Sequence, residues 1–235
     1  MHLCYEIYYF LITKLRSKRW FAQKLFKLKI PETITGPYWD FTTLLMKKGL
    51  KKYIKPDMTV LEIGIGKAAI LLVFICKICK IQACGIDIQP AYVISSKKLI
   101  DYNAVENVKI YQSDLFTNVS GLYDLIFFNS VYIKTDWGDK FLSAYDKSVW
   151  NGGQSGIDVI SRFISASEAY LKKNGTILLG VNSFYLKEND IMPIIEQSSC
   201  YIVSIIRSIF NPSRIYVIKK ECSTDELSKY LKYTK

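Results

Sequence analysis

The chain has 235 residues, half of them apolar, and a formal net charge of +11. This length fits one large domain, or one domain with an extension, and the apolar fraction allows a sizeable core. No apolar stretch reaches the ~18 residues of a membrane-spanning helix, so no transmembrane segment is expected. A secretory signal is not expected either, because the short apolar run of residues 8–12 precedes the basic residues. We therefore predict a cytoplasmic protein whose six cysteines are free thiols.

The positive charge is concentrated at the front of the chain. Residues 1–55 contain 12 Lys and Arg against 3 Asp and Glu, whereas the remaining residues carry 20 against 18. Such a segment attracts nucleic-acid phosphates, anionic lipid or an acidic protein surface, and it can equally be a solvated helix face. In residues 1–36, aromatic side chains and lysines recur at helical spacing. This pattern predicts a basic N-terminal extension of one or two amphipathic helices.

Alternating helices and strands follow this extension. A short helix is predicted over 42–54, within a main domain at residues 37–220 that precedes a polar tail at 221–235. Strands are predicted over 59–63, 81–88, 108–111, 123–128, 176–181, 202–209 and 214–218. Helices are predicted over 68–79, 91–103, 156–172 and 188–197, with a long polar loop before the third of these. The alternation predicts a Rossmann-like, doubly wound α/β fold with a mostly parallel seven-stranded sheet and an antiparallel edge strand.

A glycine-containing loop, in the stretch VLEIGIGKA, joins the first of these strands to a helix. Gly64 and Gly66 there allow a tight turn and a close approach of a ligand to the backbone. A full dinucleotide fingerprint has a third glycine at the position of Ala69, and alanine is tolerated there. A nicotinamide cofactor therefore remains open on this loop alone.

Three acidic residues shift the balance towards another ligand. Glu62, Asp87 and Asp114 are predicted at the carboxyl ends of three consecutive parallel strands. Asp87 can accept both hydroxyls of a ribose, and Asp114 can accept a hydrogen bond from an adenine amino group. A negative charge at Glu62 suits a cationic ligand better than a pyrophosphate. The three acids together fit an adenosine that carries a positive sulfonium.

These stretches resemble class I S-adenosylmethionine-dependent methyltransferases over residues 37–220. LEIGIGKA is similar to the first motif of that superfamily, GIDIQP to the second, and SDLF to the segment that reaches the adenine. The resemblance implies a methyltransferase with S-adenosylmethionine as its cofactor. It places that cofactor at Glu62, Gly64, Gly66, Asp87, Ile88, Asp114, Leu115 and Asn129.

The stretch DLIFFNSVYI resembles the fourth motif of amino-methyltransferases, which usually reads Asn-Pro-Pro-Tyr. An amide or ring nitrogen is a poor nucleophile because its lone pair is delocalised. The side-chain oxygen of Asn129 and the backbone carbonyl of Ser130 can accept its N–H hydrogens and turn the lone pair towards the methyl group. An aromatic ring such as Tyr132 can hold a planar acceptor. We therefore expect Asn129 and Tyr132 to be catalytic, with no general base.

A second stretch, VWNGGQSGIDVISRF, is similar to HemK-type glutamine methyltransferases of the archaeal and eukaryotic branch, as is PYWDFTTLL upstream. That family methylates a glutamine side-chain amide in translation termination factors, and this branch works with a small zinc-binding activator protein. The resemblance implies both as partners. It also implies an acceptor site formed by Asn129, Ser130, Tyr132 and Trp150.

The chain departs from the family at the centre of the fourth motif, where Ser130 and Val131 replace the two prolines. The acceptor therefore stays open between a protein glutamine and another amide or amine, on a small molecule or a nucleobase. A nucleic-acid methyltransferase guided by the basic N-terminal segment is one alternative, and a cofactor-binding module without catalysis is another. No metal site is expected, because Cys76, Cys79 and Cys84 have no second Cys/His pair at useful spacing.

Overall fold

A computed structural model describes residues 14–141, 151–209 and 211–220. The helices are α1 (Arg19–Phe26), α2 (Phe41–Tyr53), α3 (Ile70–Ile78), α4 (Pro90–Tyr102), α5 (Thr135–Phe141), α6 (Asp158–Ser167) and α7 (Glu188–Glu196). The strands are β1 (Thr59–Ile63), β2 (Gln82–Asp87), β3 (Val108–Gln112), β4 (Tyr123–Asn129), β5 (Leu171–Asn182), β6 (Tyr201–Arg207) and β7 (Ser213–Lys219).

The seven strands form one sheet in the order β3-β2-β1-β4-β5-β7-β6. Strands β1 to β5 pair in parallel, and β7 runs antiparallel to both of its neighbours, β5 and β6. This confirms the predicted Rossmann-like sheet with an antiparallel pair at one edge. Because β1, β2 and β4 are parallel neighbours, the loops after them meet at one edge of the sheet, where ligands bind in this class of fold.

Helices cover both faces of the sheet, which explains the apolar character of the central strands. On β1, Val60 faces the side covered by α1 to α4, and Leu61 faces the side covered by α6 and α7. The same alternation places Leu178 and Ile177 of β5 on opposite sides. The two buried layers hold the carboxyl ends of β1, β2 and β4 in fixed positions.

The observed elements differ from the prediction in two places by more than one or two residues at an element's end. The helix predicted over 156–172 ends at Ser167, a short 3-10 turn follows, and β5 begins at Leu171. Leu171 pairs with Tyr123, and the β4–β5 register then shifts before Leu125, so this start of β5 depends on a distant strand. The second difference is α5, which lies inside the predicted polar loop.

The N-terminal segment packs on the main domain through α1. Phe26 is buried against Phe74 of α3, with the ring centroids 6.1 Å apart. After α1, the backbone N–H of Lys29 donates to Asn103 Oδ1 at 2.9 Å, and Asn103 Nδ2 donates to the Lys29 carbonyl at 2.7 Å. Residues 1–13 and the predicted tail lie outside the described residues. Of the helices that the structure describes, none has both the length and the apolarity to cross a membrane.

Candidate cofactor and acceptor site

A cavity of about 570 Å³ lies at the carboxyl ends of β1, β2 and β4. Its volume is in the range of small-molecule and cofactor sites. Nine of the residues predicted for the site line it: Glu62, Gly64, Gly66, Asp87, Ile88, Asp114, Leu115, Asn129 and Ser130. The structure therefore brings the predicted cofactor loop and the Asn129 loop to one cavity.

The loop between β1 and α3 has the backbone that its glycines allow. Gly64 and Gly66 have φ values of +67° and +60°, in the left-handed region that favours glycine. A Cβ at Gly66 would have no heavy atom within 4 Å, so the space beside this residue is open to a ligand. The backbone N–H of Gly64 donates to the Ile86 carbonyl at 2.9 Å, which ties the loop to the end of β2.

Asp87 closes this loop from the end of β2. Its carboxylate accepts hydrogen bonds from the backbone N–H groups of Gly66 and Gln89, each at 2.9 Å. Burial raises the pKa of Asp87, and the N–H donors of Gln89 and Gly66 oppose that rise. A carboxylate has about four lone-pair sites, so Asp87 can accept further hydrogen bonds from a ligand in the cavity.

Glu62 is a buried carboxyl in the cavity wall. Its carboxyl accepts a hydrogen bond from the backbone of Leu72, and burial raises the pKa of Glu62 well above its usual value. The negative charge of Asp87 raises that pKa further. Oε2 of Glu62 has no hydrogen-bond partner within the described part of the chain. A buried acceptor without a partner is costly in the free protein and fits a ligand that donates hydrogen bonds or carries positive charge.

We expect Glu62→Gln to weaken S-adenosylmethionine binding by about 10-fold or more, because an amide cannot take the negative charge that turns a neutral hydrogen bond into a charge-assisted one. In the free protein, a carboxyl pKa raised by folding means that the native state binds more protons than the unfolded state. Stability from this group is present below the unfolded pKa and is lost as the pH rises towards the folded pKa. Glu62→Gln should therefore flatten the fall of stability above about pH 4.5.

Urea unfolding between pH 4.5 and 8, together with calorimetry of cofactor binding, measures both effects. Glu106→Gln, at an exposed glutamate outside the cavity, serves as the matched control and should change neither. An unchanged cofactor affinity in Glu62→Gln contradicts the assignment of Glu62 to the cofactor site.

Asp114 lies on the rim of the cavity and is paired. Nη2 of Arg162, in α6, lies 2.7 Å from Asp114 Oδ2, and both side chains are about half exposed. Exposed pairs of this kind contribute about 0–1 kcal/mol, so the pair does not prevent Asp114 from accepting a second hydrogen bond. Arg162 also lines the cavity. Arg162 is not among the predicted site residues, because nothing local in the sequence links α6 to the loop after β3.

Asn129, at the end of β4, contributes an amide to the cavity. Nδ2 donates to Thr43 Oγ1 at 3.3 Å, whereas the structure shows no partner for Oδ1 among the described residues. Thr43 is the third residue of α2, whose N-cap is Asp40, and both line the cavity. The Asp-x-x-Thr spacing in this stretch is a helix N-cap pattern, and it was the one sequence signal that could have located these two residues.

Ser130 holds the loop that two prolines hold in the usual motif. Its backbone N–H and its Oγ both donate to the Gly180 carbonyl on β5, at 3.0 and 2.7 Å. Neither donor exists in a proline. Ser130 is fully buried, and Val131 lines the cavity beside it. The loop is therefore fixed by hydrogen bonds to the neighbouring strand instead of by a ring in the backbone.

Tyr132 differs from the prediction, because its ring does not line the cavity. Only 3% of the residue is exposed, and its hydroxyl is within hydrogen-bond reach of Thr42 and Asn182. The ring stacks on Tyr185 with centroids 5.5 Å apart. Burial raises the pKa of Tyr132 well above its usual value. In this structure Tyr132 packs in the core beneath the loop after β4.

The glycine-rich stretch after α5 packs on the same loop. A Cβ at Gly152 would lie 2.8 Å from the Tyr132 Cα and 2.6 Å from the Gly156 carbonyl oxygen, so only glycine fits. The backbone N–H of Gly152 donates to the Ile133 carbonyl at 2.8 Å. Trp150, predicted at the acceptor, lies outside the described residues. Over the part of the chain that is described, no group of three or more His, Cys, Asp or Glu residues is placed to hold a metal.

Comparison with known sequences identifies similar methyltransferases. The chain is 35% identical over 151 residues to a candidate protein N5-glutamine methyltransferase of Methanocaldococcus jannaschii, which covers 64% of this chain and 73% of that protein. It is 43% identical over 90 residues to a ribosomal protein L11 methyltransferase of Thermosipho africanus, but spans only 34% of that protein's length. No protein-family model matches the chain.

Solved structures share the fold at low sequence identity. A ribosomal protein L11 methylase of Lactobacillus delbrueckii subsp. bulgaricus superposes with a TM-score of 0.64 at 16% identity, over 83% of this chain and 86% of that one. A methyltransferase of Pyrococcus furiosus gives a TM-score of 0.64 at 20% identity, over 86% and 93% of the two chains.

Proposed function

Since the chain belongs to the HemK-like class I S-adenosylmethionine-dependent methyltransferases, we propose that it methylates the side-chain amide of a glutamine in a protein. The observation that supports an amide as the methyl acceptor is the Asn129 side chain in the cavity wall. Its Oδ1 has no partner among the described residues. The relative from M. jannaschii, described as acting on protein glutamine, supports the same acceptor.

The residues around the cavity fit S-adenosylmethionine, which supplies an electrophilic methyl group when bound. The open turn at Gly64 and Gly66 would let the cofactor approach the protein backbone closely. Asp87 would accept hydrogen bonds from the ribose hydroxyls. Asp114, Leu115 and Ile88 would border the adenine. Glu62 brings a buried carboxyl with an unpartnered oxygen to the same wall, and a cationic cofactor beside it would favour its ionised form.

The loop after β4 would then orient the acceptor. Oδ1 of Asn129 and the carbonyl of Ser130 would accept the two N–H hydrogens of the glutamine amide. The nitrogen lone pair is thereby directed out of conjugation, and the positive charge that grows on nitrogen is stabilised. Tyr132 keeps a role in this proposal only as a support for the loop, because it is buried, with its hydroxyl within hydrogen-bond reach of Thr42 and Asn182.

A nucleic-acid acceptor is the second candidate. The positive charge of residues 14–55, called the N-terminal layer below, favours it. Residues 14–55 carry 12 Lys and Arg against two acids. Of these acids, Glu32 is paired with Arg19 at 2.6 Å and Asp40 caps α2. Lys27, Lys51 and Lys48 are exposed on this layer, which could contact a phosphate backbone.

Incubation with methyl-labelled S-adenosylmethionine and separate protein, RNA and small-molecule acceptors tests the proposal. We expect label in a translation termination factor, and loss of that label when the acceptor glutamine is replaced by asparagine. The assay is run with and without a small zinc-binding activator protein of the kind the family uses. The glutamine-to-asparagine acceptor serves as the matched control, because it keeps the amide and shortens the side chain by one methylene.

Label in RNA, with a rate that falls steeply with salt concentration, supports the second candidate instead. Cofactor binding without transfer to any fraction, with the activator present, indicates a binding module. No cofactor binding at millimolar concentration contradicts all of these assignments.

A further inference from the structure

The Thr43 hydroxyl connects the N-terminus of α2 to the Asn129 amide through three hydrogen bonds. A threonine hydroxyl has one hydrogen to donate and two lone pairs that accept. Oγ1 of Thr43 donates to Asp40 Oδ1 at 2.7 Å. It accepts from the backbone N–H of Asp40 at 3.2 Å and from Asn129 Nδ2 at 3.3 Å. Every hydrogen-bonding position of this hydroxyl is therefore occupied.

This arrangement selects one of the two orientations of the Asn129 amide. Because Asp40 takes the only hydrogen of the Thr43 hydroxyl, that hydroxyl can act towards Asn129 only as an acceptor. Rotating the amide by 180° would place Oδ1 against the Thr43 oxygen, with two acceptors facing each other and no hydrogen between them. The orientation with Nδ2 at Thr43 is favoured, and it leaves Oδ1 as the unpartnered end.

The orientation of the Asn129 amide matters because its two ends have opposite hydrogen-bonding character. Oδ1 accepts hydrogen bonds from an acceptor nitrogen, whereas Nδ2 would present N–H hydrogens to the N–H hydrogens of the substrate. A glutamine amide bound at the reversed Asn129 would turn its lone pair towards Nδ2 and away from the methyl group.

We propose that Thr43 and Asp40 are positioning residues that fix the orientation of the Asn129 amide. This inference rests on the proposed function, which gives Asn129 its role. It adds the two residues that determine which way the Asn129 amide points. The N-cap of α2 thus has two roles. It satisfies the backbone at the start of the helix, where Asp40 Oδ1 accepts from Thr43 N at 2.6 Å, and it orders the amide across the cavity.

The test compares Thr43→Val, which removes the hydroxyl at nearly constant volume, with Thr43→Ser, which keeps it. For Thr43→Val we expect kcat to fall about 10- to 100-fold, with KM for the acceptor and the affinity for S-adenosylmethionine within about 3-fold, because misorientation of a catalytic group acts on the transition state. Thr43→Ser should restore kcat to within about 3-fold of the wild type. Thr176→Val, at a buried threonine of β5 outside the cavity, controls for the loss of a hydroxyl in the core.

A second measurement needs no acceptor substrate. In ¹⁵N spectra of the free protein, the side-chain NH₂ signal of Asn129 is assigned by its loss in Asn129→Ala. We expect that signal at its wild-type position in Thr43→Ser, and displaced or doubled in Thr43→Val. An unchanged signal in Thr43→Val overturns the inference.

The kinetic outcomes separate the inference from the proposed function. If Asn129→Ala is impaired and Thr43→Val is not, the positioning role fails while the role of Asn129 stands. If Asn129→Ala is fully active, both fail. In the double variant, Thr43→Val should add nothing to Asn129→Ala, because a residue that acts through another has no effect once that residue is removed. An additive loss overturns the inference.

Discussion

Asn129→Ala is expected to slow methyl transfer about 10²- to 10³-fold while the affinity for S-adenosylmethionine stays within about 10-fold of the wild type. The substitution removes the unpartnered oxygen in the cavity wall. The acceptor nitrogen then loses a hydrogen bond that strengthens as positive charge grows on it, so the loss falls mainly on the chemical step. Single-turnover transfer of labelled methyl, with calorimetry of cofactor binding, separates the two quantities.

Asn118→Ala is the matched control for this prediction. Asn118 is exposed outside the cavity, and its Nδ2 donates to the Gln112 carbonyl at 3.0 Å. The control variant should transfer methyl at the wild-type rate. Wild-type turnover by a folded Asn129→Ala would falsify the assignment of the loop after β4 to acceptor orientation.

Phe26→Ala is expected to lower the free energy of unfolding by about 3–5 kcal/mol. Phe26 is 1% exposed and stacks edge-to-face on Phe74. Nζ of Lys47 lies 5.1 Å from the centroid of the Phe26 ring and 4.9 Å from that of Phe74, and it donates to the Leu25 carbonyl. Removing the ring leaves a cavity at the junction of α1, α2 and α3. Urea unfolding followed by circular dichroism measures the change.

Trp20→Ala provides a control on the same helix. Because Trp20 is 60% exposed, this substitution should lower the free energy of unfolding by no more than about 1 kcal/mol. A loss below about 1 kcal/mol in Phe26→Ala contradicts the integral packing of α1. If the expected loss is found, truncating residues 1–30 is a poor test of nucleic-acid binding, because it removes buried Phe26, Leu28 and Ile30 from the core. Charge substitutions at exposed lysines such as Lys27 are then the suitable probe.

Most of the sheet could be predicted from the sequence because each central strand is an apolar run bounded by polar or turn residues. The observed bounds of β1, Thr59–Ile63, are the predicted ones, and β4 ends one residue later than expected, at Asn129. The start of β5 could not be predicted in the same way. Residues 171–175 are mostly polar, and Leu171 is in a strand because it pairs with Tyr123 of β4. That pairing is a tertiary contact with no local signal.

The site residues also fall into those that the local sequence could place and those that only tertiary packing places. Residues at the carboxyl ends of parallel strands or directly after them, such as Gly64, Asp87 and Asn129, could be placed in advance, because the ends of neighbouring strands meet at one edge of the sheet. Thr43 could not, since it reaches Asn129 only through the packing of α2 on β4, β5 and β7. Tyr132 is three residues from Asn129, yet its ring turns into the core beside Asn182. The direction of a loop side chain is decided by packing and not by its distance along the chain.

The two hydrogen bonds from Ser130 to the Gly180 carbonyl make the order of the acceptor loop depend on temperature in a different way from that of a proline loop. A proline restricts its own backbone even in the unfolded chain, so its stiffness survives local opening of the sheet. Here the stiffness comes from the contact between β4 and β5, and it is lost whenever that contact opens. The loop and the sheet should therefore loosen together on heating, and the backbone amide of Ser130 provides a hydrogen-exchange probe at the acceptor loop that a proline does not have.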